Sequence, residues 1–367
     1  MRPTCAHDHH AVRSPLLCIL PPYILESLAI RGETGARAWA SRSLAVDDAI
    51  RERRITKPLS SAGGAAPAPL PAPHLERGVY DAHGAGTLPG TLVRSEGQPS
   101  SGDPAVDEAY DGFGATFTLY WEAFRRNSID DQGLGLVGSV HYLSRYDNAF
   151  WDGSQMVFGD GDGTYFNRFT IAVDVIGHEL THGVTAHEAN LGYHDQPGAL
   201  NESMSDVFGS IVKQFSLQQT AEEADWLIGA GLFTSRVQGI ALRSMKEPGT
   251  AYDDPVLGKD PQPADMGGYV STSADNGGVH INSGIPNRAF YLAAAALGGS
   301  AWEKAGQIWY ATLRDARLDS EAQFDEFAGL AADNAGRLFG DAARETVAEA
   351  WRQVGVTASQ PAERGAA

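Results

Sequence analysis

The pattern of apolar and polar residues changes near the middle of the chain. Between residues 79 and 169 the apolar segments are short, and turn signals such as Asp111-Gly112 and Asp152-Gly153 separate them. After residue 169 the apolar positions belong to longer segments of the kind that form helices. The sequence therefore predicts an α+β fold, in which a strand-rich N-terminal lobe precedes a mainly α-helical C-terminal lobe.

Individual elements can be predicted within both lobes. In the N-terminal lobe we predict a helix at residues 105–124, a strand at 134–142 and a pair of strands at 148–157. In the C-terminal half we predict helices at residues 168–184, 200–215, 285–297, 301–315, 322–339 and 342–354. Ser320 with Gln323 predicts a capping box, Asp341 is expected to cap the last helix, and Gly355 is expected to end it.

Residues 173–183 carry the strongest chemical signal. His178 and His182 are four residues apart, so on a helix they lie within about 40° of each other and can bind one metal ion together. Glu179 points away from that coordination plane, but it is well placed to contact a water on the same metal. His-Glu-x-x-His on a helix is a known signature of zinc metalloproteases.

A zinc site with these two ligands needs a third protein ligand and an open position for water. Glu202 lies 20 residues after His182, a separation that suits a second helix returning antiparallel after a loop that contains Tyr193 and Pro197. Asp206 lies four residues beyond Glu202 on the same face. That spacing is typical of a carboxylate that accepts the second N–H group of a ligating histidine.

Six motifs make the chain resemble the thermolysin-family neutral metalloproteases, and within that family the protealysin-like type with a short propeptide. They are Asn148-Ala149-Phe150-Trp151, Gly159-Asp160-Gly161-Asp162-Gly163, the helix with the histidine pair, Asn201-Glu202-x-x-Ser205-Asp206, Leu242-Arg243-Ser244-Met245 and residues 275–284. The resemblance extends from about Gly78 to Gly355. It implies a zinc endopeptidase of two lobes with the metal between them, bound by His178, His182 and Glu202, with Asp206 and Asn201 behind these ligands.

The resemblance also implies roles in catalysis. Zinc lowers the pKa of its water towards about 7, Glu179 takes the proton, and Glu179 then passes it to the leaving amine as general base and acid. Tyr193 and His280 are expected to donate hydrogen bonds to the oxyanion, a contact that typically contributes on the order of 3 to 4 kcal/mol. Asp275 is expected to hold His280 protonated and oriented.

Substrate-binding residues are implied in the same way. Asn148 and Ala149 are expected to hydrogen-bond the backbone of an extended peptide along an edge strand, and Arg243 is expected to bind the substrate carbonyl beside the cut. An apolar pocket should receive the residue that follows the cut. The positions that line it are Phe166, Phe169, Val175 and Leu242. A large hydrophobic residue is therefore expected just after the cleaved bond.

The first part of the chain differs in composition from the rest. Residues 58–73 are nearly all Pro, Ala, Gly and Ser, which predicts an extended linker and a cleavage region. Upstream, residues 37–55 are helix-like and basic. Residues 19–29 resemble the Pro-Pro-Tyr segment of protealysin-type propeptides, with a short turn before a helix as the alternative. We predict a propeptide and linker at 1–76, catalytic lobes at 77–180 and 181–356, and a tail at 357–367.

Charge and composition restrict the partners and the location. The net charge of −18 and the sequence pI of about 4.9 argue against nucleic acid and membranes, so the expected partners of this monomer are peptide or protein substrates and its own propeptide. The apolar run at residues 16–20 is too short for a conventional signal peptide, and Pro21-Pro22 follows it. The family resemblance implies an extracellular location, with a cytoplasmic one as the alternative.

Calcium binding is expected to differ from that of thermolysin-type enzymes. Thermolysin-type enzymes have a double calcium site beyond the third zinc ligand, but here Lys213 occupies the matching helical position. The following loop keeps Asp225, whereas Leu227 and Ala230 stand where carboxylates are expected. We predict that the pair of ions is absent and that Lys213 forms a salt link with Asp174 and Asp225. One calcium ion near Asp160 or Asp162 stays possible, with a polar hairpin turn as the alternative.

Three other classes of protein fit the sequence less well. A zinc aminopeptidase would need an acidic clamp for the free amine, such as a Gly-x-Met-Glu-Asn stretch, and the sequence shows none. A catalytically silent peptide-binding protein would be expected to lack Glu179 or a metal ligand, and all are present. A calcium-dependent structural protein would leave the histidine pair unexplained.

Overall fold

A mixed sheet organises the N-terminal half of the molecule, as seen in a computed structural model that describes residues 17–56 and 72–359. Its strands are β1 (Leu17–Cys18), β2 (Arg77–Asp81), β3 (Thr91–Ser95), β4 (Leu136–Val140), β5 (Ala149–Trp151) and β6 (Met156–Phe158). Their order in space is β1-β5-β6-β4-β2-β3, and only the β2–β4 and β4–β6 pairs are parallel. The N-terminal segment therefore completes the sheet of the catalytic part, because β1 pairs with β5.

Helices dominate the remainder of the described chain. They are α1 (Pro22–Arg31), α2 (Thr34–Thr56), α3 (Pro104–Phe124), α4 (Val173–His187), α5 (Asp195–Leu217), α6 (Asp275–Asn282), α7 (Gly284–Leu297), α8 (Ala305–Leu313), α9 (Phe324–Phe339) and α10 (Asp341–Gln353). Two short antiparallel pairs, β7 (Leu227–Ile228) with β8 (Arg243–Ser244) and β9 (Asp253–Asp254) with β10 (Gly258–Lys259), lie between α5 and α6, and a single 3-10 turn spans Met266–Gly268.

Helix α3 packs against the sheet. Asp103 caps its first turn by accepting the amide of Ala105 at 2.9 Å, and Pro104 occupies the first helical position, where no N–H group is needed. The ring of Phe113 lies so close to Gly138 of β4 that a Cβ atom there would be 2.6 Å from it. The predicted helix at 105–124, the strand at 134–142 and the strand pair at 148–157 are confirmed, whereas the turn signal at Asp111-Gly112 was wrong, because α3 continues through both residues.

Helices α4 and α5 pack closely against each other and carry the histidine pair and Glu202. A Cβ atom on Gly209 of α5 would lie 2.4 Å from the backbone oxygen of Asp174, so only glycine permits this approach. Both helices are apolar or buried over most of their length. Their close packing brings the third candidate ligand against the first two.

Three helix starts differ from the prediction, and one of them is that of α8, which begins at Ala305 and not at residue 301 because residues 301–304 form a turn. Helix α4 begins at Val173 and not at residue 168, because residue Ala172 before it is still extended. Helix α5 begins at Asp195 and not at residue 200, so Pro197 lies in the first turn of the helix and not in the loop. Proline is accommodated there because the first amide groups of a helix have no intrahelical acceptor.

Ser320 and Asp341, which were predicted to cap the last two helices, do not cap them. The capping box at α9 joins Gln323 to Glu326, since the turn at residues 319–322 delays the helix to Phe324 and leaves Ser320 outside. Asp341 is the first residue of α10 and makes no capping hydrogen bond; Gly340 precedes the helix with a φ of 84°. Asp341 still places a negative charge at the positive end of the helix. Gly355 follows the helix with a φ of 79°, as predicted for its end.

The C-terminal helices enclose an aromatic core. The rings of Trp309 and Trp351 are stacked with centroids 6.3 Å apart and an interplanar angle of 6°, and Phe327 packs against both. These three side chains are fully buried. Burying each large ring contributes about 1.5–3 kcal/mol, so this cluster anchors α8, α9 and α10 to one another.

The N-terminal segment folds onto the catalytic part as two helices. Apolar side chains of α1, namely Ile24, Leu25 and Leu28, are fully buried, and the predicted basic helix at residues 37–55 lies within α2. Residues 58–71 of the predicted linker, and residues 360–367 of the predicted tail, lie outside the described residues. Over residues 17–56 and 72–359, none of the helices combines the length and the apolar composition of a transmembrane span.

Candidate active site

The three predicted metal ligands meet between α4 and α5. The Nε2 atoms of His178 and His182 are 3.0 Å apart, and each lies 3.5 Å from a carboxylate oxygen of Glu202. One ligand atom from each residue falls within 4.8 Å of the others. All three side chains are buried. Two imidazoles and a carboxylate are a typical donor set for catalytic zinc.

Further hydrogen bonds fix both imidazole rings. His178 Nδ1 donates to Asp206 Oδ1 at 2.8 Å, and His182 Nδ1 donates to Asn201 Oδ1 at 2.9 Å. Burial lowers the pKa of His182 to about 3, so the ring is neutral and its Nε2 lone pair is free to bind a metal. Glu202 Oε2 is buried without a hydrogen-bond donor. The arrangement fits zinc, since it presents converging lone pairs that no protein donor satisfies.

Glu179 lies beside the ligands without joining them. The backbone amide of Trp151 on β5 donates to its Oε2 atom at 3.1 Å, whereas its Oε1 atom is buried without a partner. Burial, reinforced by the charge of Glu202, raises the pKa of Glu179 well above its usual range. A carboxyl group in this setting can hold a proton near neutral pH.

His280, Asp275 and Tyr193 form a hydrogen-bonded group beside Glu202. His280 Nδ1 donates to Asp275 Oδ1 at 2.6 Å, and the hydroxyl group of Tyr193 donates to Glu202 and lies 3.3 Å from His280 Nε2. Burial disfavours the charged imidazole, but Asp275 and Glu202 outweigh it and raise the pKa of His280 to about 9. His280 is therefore a cationic hydrogen-bond donor at neutral pH.

The N-terminal segment crosses this site as an extended peptide. The amide of Ile19 donates to the backbone oxygen of Ala149 at 3.3 Å, and the amide of Leu20 donates to Asn148 Oδ1 at 3.1 Å. Arg243 Nη1 donates to the backbone oxygen of Ile19 at 3.0 Å. The structure therefore brings the three residues predicted to bind a substrate backbone into contact with one peptide.

The residues predicted to line the apolar pocket are all buried. The rings of Phe166 and Phe169 have centroids 5.9 Å apart, and Val175 and Leu242 belong to the same cluster of buried side chains. Ile19 of the N-terminal segment is fully buried and belongs to this cluster as well. This cluster is the main core of the described chain, so the residue that follows Cys18 in the crossing peptide has a fully buried aliphatic side chain.

Sequence reasoning missed several residues that support the site. Asn287 Nδ2 donates to Asp206 Oδ2 at 2.8 Å, so three side chains converge on that carboxylate. From α2, Asp47 accepts the hydroxyl of Tyr146 at 2.5 Å and Asn148 Nδ2 at 2.9 Å. Ser43 Oγ accepts the amide of the intervening residue at 3.2 Å. Ser43 and Asp47 are four residues apart on a predicted helix, and this i, i+4 spacing was the signal available in the sequence.

The predicted ion pairs of Lys213 are present in the region where a double calcium site was predicted to be absent. Lys213 Nζ lies 3.2 Å from Asp174 Oδ2 and 2.8 Å from Asp225 Oδ1, and it donates to the backbone oxygen of Leu227 at 2.7 Å. Asp174 is buried, whereas 48% of the Asp225 side chain is exposed. The salt link is therefore buried on one side only.

The Asp-Gly repeat forms a tight polar turn. Asp162 Oδ1 accepts the amides of residues 164, 165 and 166 at 2.7 to 3.1 Å. Asp160 pairs with His141 Nδ1 at 2.9 Å, and His141 Nε2 pairs with Asp103 at 3.0 Å. Asp160 and one oxygen of Asp162 thus have protein partners, whereas Asp162 Oδ2 is buried without one, so the single calcium ion near this turn stays a prediction beside the polar-turn alternative.

Similarity to known proteins extends over nearly the whole chain. The family model described as the catalytic domain of thermolysin metallopeptidase matches residues 75–186, and the one described as its alpha-helical domain matches residues 189–356. An extracellular metalloprotease of Pectobacterium carotovorum subsp. carotovorum is 53% identical over 346 residues, which cover 94% of this chain and 98% of that protein. Protease PrtS of Photorhabdus sp. (strain Az29) is 53% identical over 77% of this chain and 76% of its own length.

A solved structure gives the same result for the fold. The precursor of protealysin, a metalloproteinase from Serratia proteamaculans, superposes with a TM-score of 0.84 at 54% sequence identity, covering 93% of this chain and 100% of that one. The match includes the N-terminal segment as well as both catalytic lobes, since it covers nearly the whole chain. The chain therefore belongs to the thermolysin family of metallopeptidases, as a zinc endopeptidase of the protealysin-like type with a propeptide.

Proposed function

We propose that the mature enzyme hydrolyses internal peptide bonds on the N-terminal side of large hydrophobic residues. The observation that carries this proposal is the extended segment at residues 17–20, whose backbone is hydrogen-bonded across the cleft by Asn148, Ala149, Arg243 and His280. An edge strand that holds a peptide by its main chain accepts many sequences with one backbone geometry.

The proposed proton carrier is Glu179. His178, His182 and Glu202 would hold zinc, which when bound supplies a Lewis acid that polarises a carbonyl group and lowers the pKa of water. The Trp151 amide holds Glu179 Oε2, so Oε1 is the atom available to take a proton from water and to deliver it to the leaving amine. The raised pKa of this carboxyl group suits a residue that must hold a proton between the two steps.

His280 and Tyr193 are the proposed oxyanion donors. His280 Nε2 already donates to a peptide carbonyl, the backbone oxygen of Cys18, at 3.1 Å. Asp275 keeps the ring cationic and oriented through Nδ1. Donors held in advance beside a developing negative charge contribute on the order of 3 kcal/mol each, because they need no reorganisation during the reaction.

The proposed preference for a hydrophobic residue after the cut follows from the pocket. Phe166, Phe169, Val175 and Leu242 present an apolar lining in which a charged side chain would be desolvated without a partner. The Arg243 guanidinium binds the carbonyl group of Ile19, and a substrate residue held in the same way is the one that we assign to this pocket. Size and polarity at this one position should therefore dominate substrate choice.

We further propose that residues 1–76 form an inhibitory propeptide with its linker, preceding catalytic lobes at 77–180 and 181–356. The segment from Leu17 to Leu20 occupies the site that a substrate would need, and Ser43 and Asp47 of α2 hold the strand that binds it. The relatives described as extracellular support export of this protein. For calcium, the proposal is that Lys213 replaces the double site.

The decisive experiment combines metal analysis with cleavage of an internally quenched peptide that is blocked at both ends. One equivalent of zinc and cleavage before a large hydrophobic residue are expected from linker-cleaved protein. An aminopeptidase would leave the blocked peptide intact and would act only after its amine is freed. A silent peptide-binding protein would bind both peptides and cut neither.

A further inference from the structure

Four residues of the proposed site, His280, Ala149, Glu179 and Arg243, surround one peptide bond of the N-terminal segment. His280 Nε2 donates to the carbonyl oxygen of Cys18 at 3.1 Å. The amide of the next residue, Ile19, donates to Ala149 O at 3.3 Å and lies close enough to Glu179 to stabilise that carboxylate. The carbonyl oxygen of Ile19 accepts from Arg243 at 3.0 Å.

These contacts define a direction and a register. The oxyanion donor faces the carbonyl before the bond, the proton carrier faces the nitrogen after it, and the arginine faces the next carbonyl group. The buried side chain after the bond is aliphatic, as the apolar pocket requires. We infer that the Cys18–Ile19 bond occupies the scissile position and that the enzyme cuts its own propeptide there, an inference that rests on the proposed function.

The reaction is a hydrolysis and needs no other reactant than water. A water oxygen bonds to the carbonyl carbon of Cys18, and the bond from that carbon to the Ile19 nitrogen breaks. Glu179 transfers a proton from the water to this nitrogen. The products are a carboxylate on Cys18 and a new amino terminus on Ile19.

The surroundings of the bond imply that the cut occurs within one molecule. Cys18, Ile19 and Leu20 are fully buried in the cleft of their own chain, so the active site of a second molecule cannot reach them. After the cut, the piece that begins at Ile19 stays anchored through the buried residues of α1. The described part of the released piece is held by the two-residue pairing of β1 with β5.

The test uses the full-length zinc-loaded chain. N-terminal sequencing and intact mass should find a species that begins Ile-Leu-Pro-Pro-Tyr, at a rate that does not change on dilution. Glu179→Ala chains should not form this species, and they should stay uncut at this bond when mixed with active chains. Cutting of the Glu179→Ala chain in the mixture, or a rate proportional to concentration, would overturn the assignment to one molecule.

Matched substitutions test the register. Ile19→Asp places a charge in the apolar surroundings and should abolish the Ile19-site cut, whereas Ile19→Leu should preserve it. Ile30→Asp makes the same kind of change in α1 at a side chain that is 73% exposed, and it should leave the cut unchanged. If Ile30→Asp removes the cut as completely as Ile19→Asp, the placement of Ile19 beside the scissile bond does not determine the cut.

A readout that needs no catalysis comes from the thiol of Cys18, which is buried and donates to the backbone oxygen of Leu20 at 3.7 Å. In zinc-free Cys5→Ser/Glu179→Ala protein, alkylation of Cys18 should be slow, and adding Ile19→Asp should accelerate it at least about tenfold, because the apolar anchor of the segment is lost. Equal labelling rates would show that Ile19 does not seat the segment.

A parallel assay separates this inference from the proposed function. Linker-cleaved wild-type enzyme is given the blocked, internally quenched peptide. Cleavage of that peptide without any Ile19 amino terminus in the precursor would overturn the inference alone. Absence of both reactions in zinc-loaded protein would overturn the proposed function together with it.

Discussion

Arg243 and Asp206 form a buried bidentate ion pair, with Nη2–Oδ1 and Nε–Oδ2 distances of 2.8 and 2.9 Å. Burial opposes the charge of Asp206, but Arg243 and His178 outweigh this effect and hold the pKa of the carboxyl group well below its usual range. The same carboxylate orients the metal ligand His178. One residue thereby couples the orientation of a metal ligand to the position of the arginine that binds the peptide carbonyl.

Replacing Arg243 by lysine should impair both the ion pair with Asp206 and the binding of the peptide carbonyl. In Arg243→Lys the single ammonium cannot reproduce the two hydrogen bonds to Asp206 and the third to the peptide, since lysine lacks the planar fork. We expect kcat/KM to fall by about 10- to 100-fold and the free energy of unfolding by about 1–3 kcal/mol. Steady-state kinetics and urea unfolding measure these effects. Arg352→Lys on the exposed face of α10 is the control, and equal losses in both variants would contradict the prediction.

Metal binding and proton transfer should separate in two variants. Glu179→Ala removes the proton carrier but no ligand, so zinc content should be unchanged while kcat falls by ~10²–10⁴-fold. His182→Ala removes a ligand, so zinc itself should be lost. Atomic absorption on dialysed protein, together with peptide hydrolysis, makes the comparison. Equal zinc loss in the two variants would refute the role proposed for Glu179.

Lys213→Ala should destabilise the fold. Burial raises the pKa of Asp174 even with Lys213 beside it, and without the ammonium no other cationic side chain of the described residues forms an ion pair with this buried carboxylate. Removing one partner of a buried ion pair typically costs roughly 3 to 5 kcal/mol, and the exposure of Asp225 places the expected value at the lower end. Thermal unfolding with Lys246→Ala as a surface control measures the difference. A melting point unchanged in Lys213→Ala would show that the salt link is unimportant.

Calcium chelation belongs to the same test. If Lys213 replaces the two ions, a selective calcium chelator should shift the melting temperature little. A large shift in wild-type protein, or two calcium ions found beside Lys213, would contradict this interpretation of the position.

His141 should make stability depend on alkaline pH. Its hydrogen bond to Asp160 favours the charged ring, burial opposes this, and the bond to Asp103 adds to the first effect, which together raise the pKa of His141 to about 9. The unfolded value is about 6.5. Because the folded pKa is the higher one, the stabilisation is complete below about pH 6.5 and is lost as the pH rises through 9.

The measurement compares wild type with His141→Gln. The difference in unfolding free energy between the two proteins should be constant below pH 6.5 and should shrink towards pH 10. A difference that grows with pH would mean that the ring is neutral in the folded protein.

The propeptide should inhibit as long as the linker is intact. We expect a precursor with a protease-resistant replacement of residues 58–71 to cleave the blocked peptide far more slowly than linker-cleaved enzyme. In that background Asp47→Ala should raise the residual activity about tenfold, since it leaves the buried donors of Tyr146 and Asn148 unpaired. Glu26→Ala at an exposed site of α1 is the control. Full activity of the uncleaved precursor would rule out inhibition.

Sequence alone predicted the parts of the site that depend on short helical spacings. His178 and His182 share one turn, and Glu202 with Asp206 share another, so the geometry of a single helix determines each pair. Their meeting required only that the two helices pack together. The resemblance to a family supplied the remaining residues, because nothing in the local pattern relates His280 to helices almost a hundred residues earlier.

The missed features depend on contacts between distant parts of the chain. Asn287 reaches Asp206 across 81 residues, and Asp47 reaches Asn148 across 101. Asn287 has no local signal that distinguishes it from a solvated residue, and the spacing of Asp47 from Ser43 does not identify what Asp47 contacts. The errors at Pro197 and Ser320 are of another kind, because helix starts are set by which backbone amides find acceptors, and several nearby residues compete for that position.

Strand β5 pairs with one strand of the catalytic part and with one strand of the propeptide. Strand β6 pairs with one side of it, and β1 of the propeptide pairs with the other. Departure of the propeptide leaves the polar backbone groups of residues 149–151 as an open sheet edge, a surface through which protein chains aggregate. The strand has three residues and the Asp152-Gly153 turn follows it at once. Such a short edge can hold one peptide, but it is too short to join the sheets of two molecules, so the mature enzyme gains a docking edge without becoming prone to self-assembly.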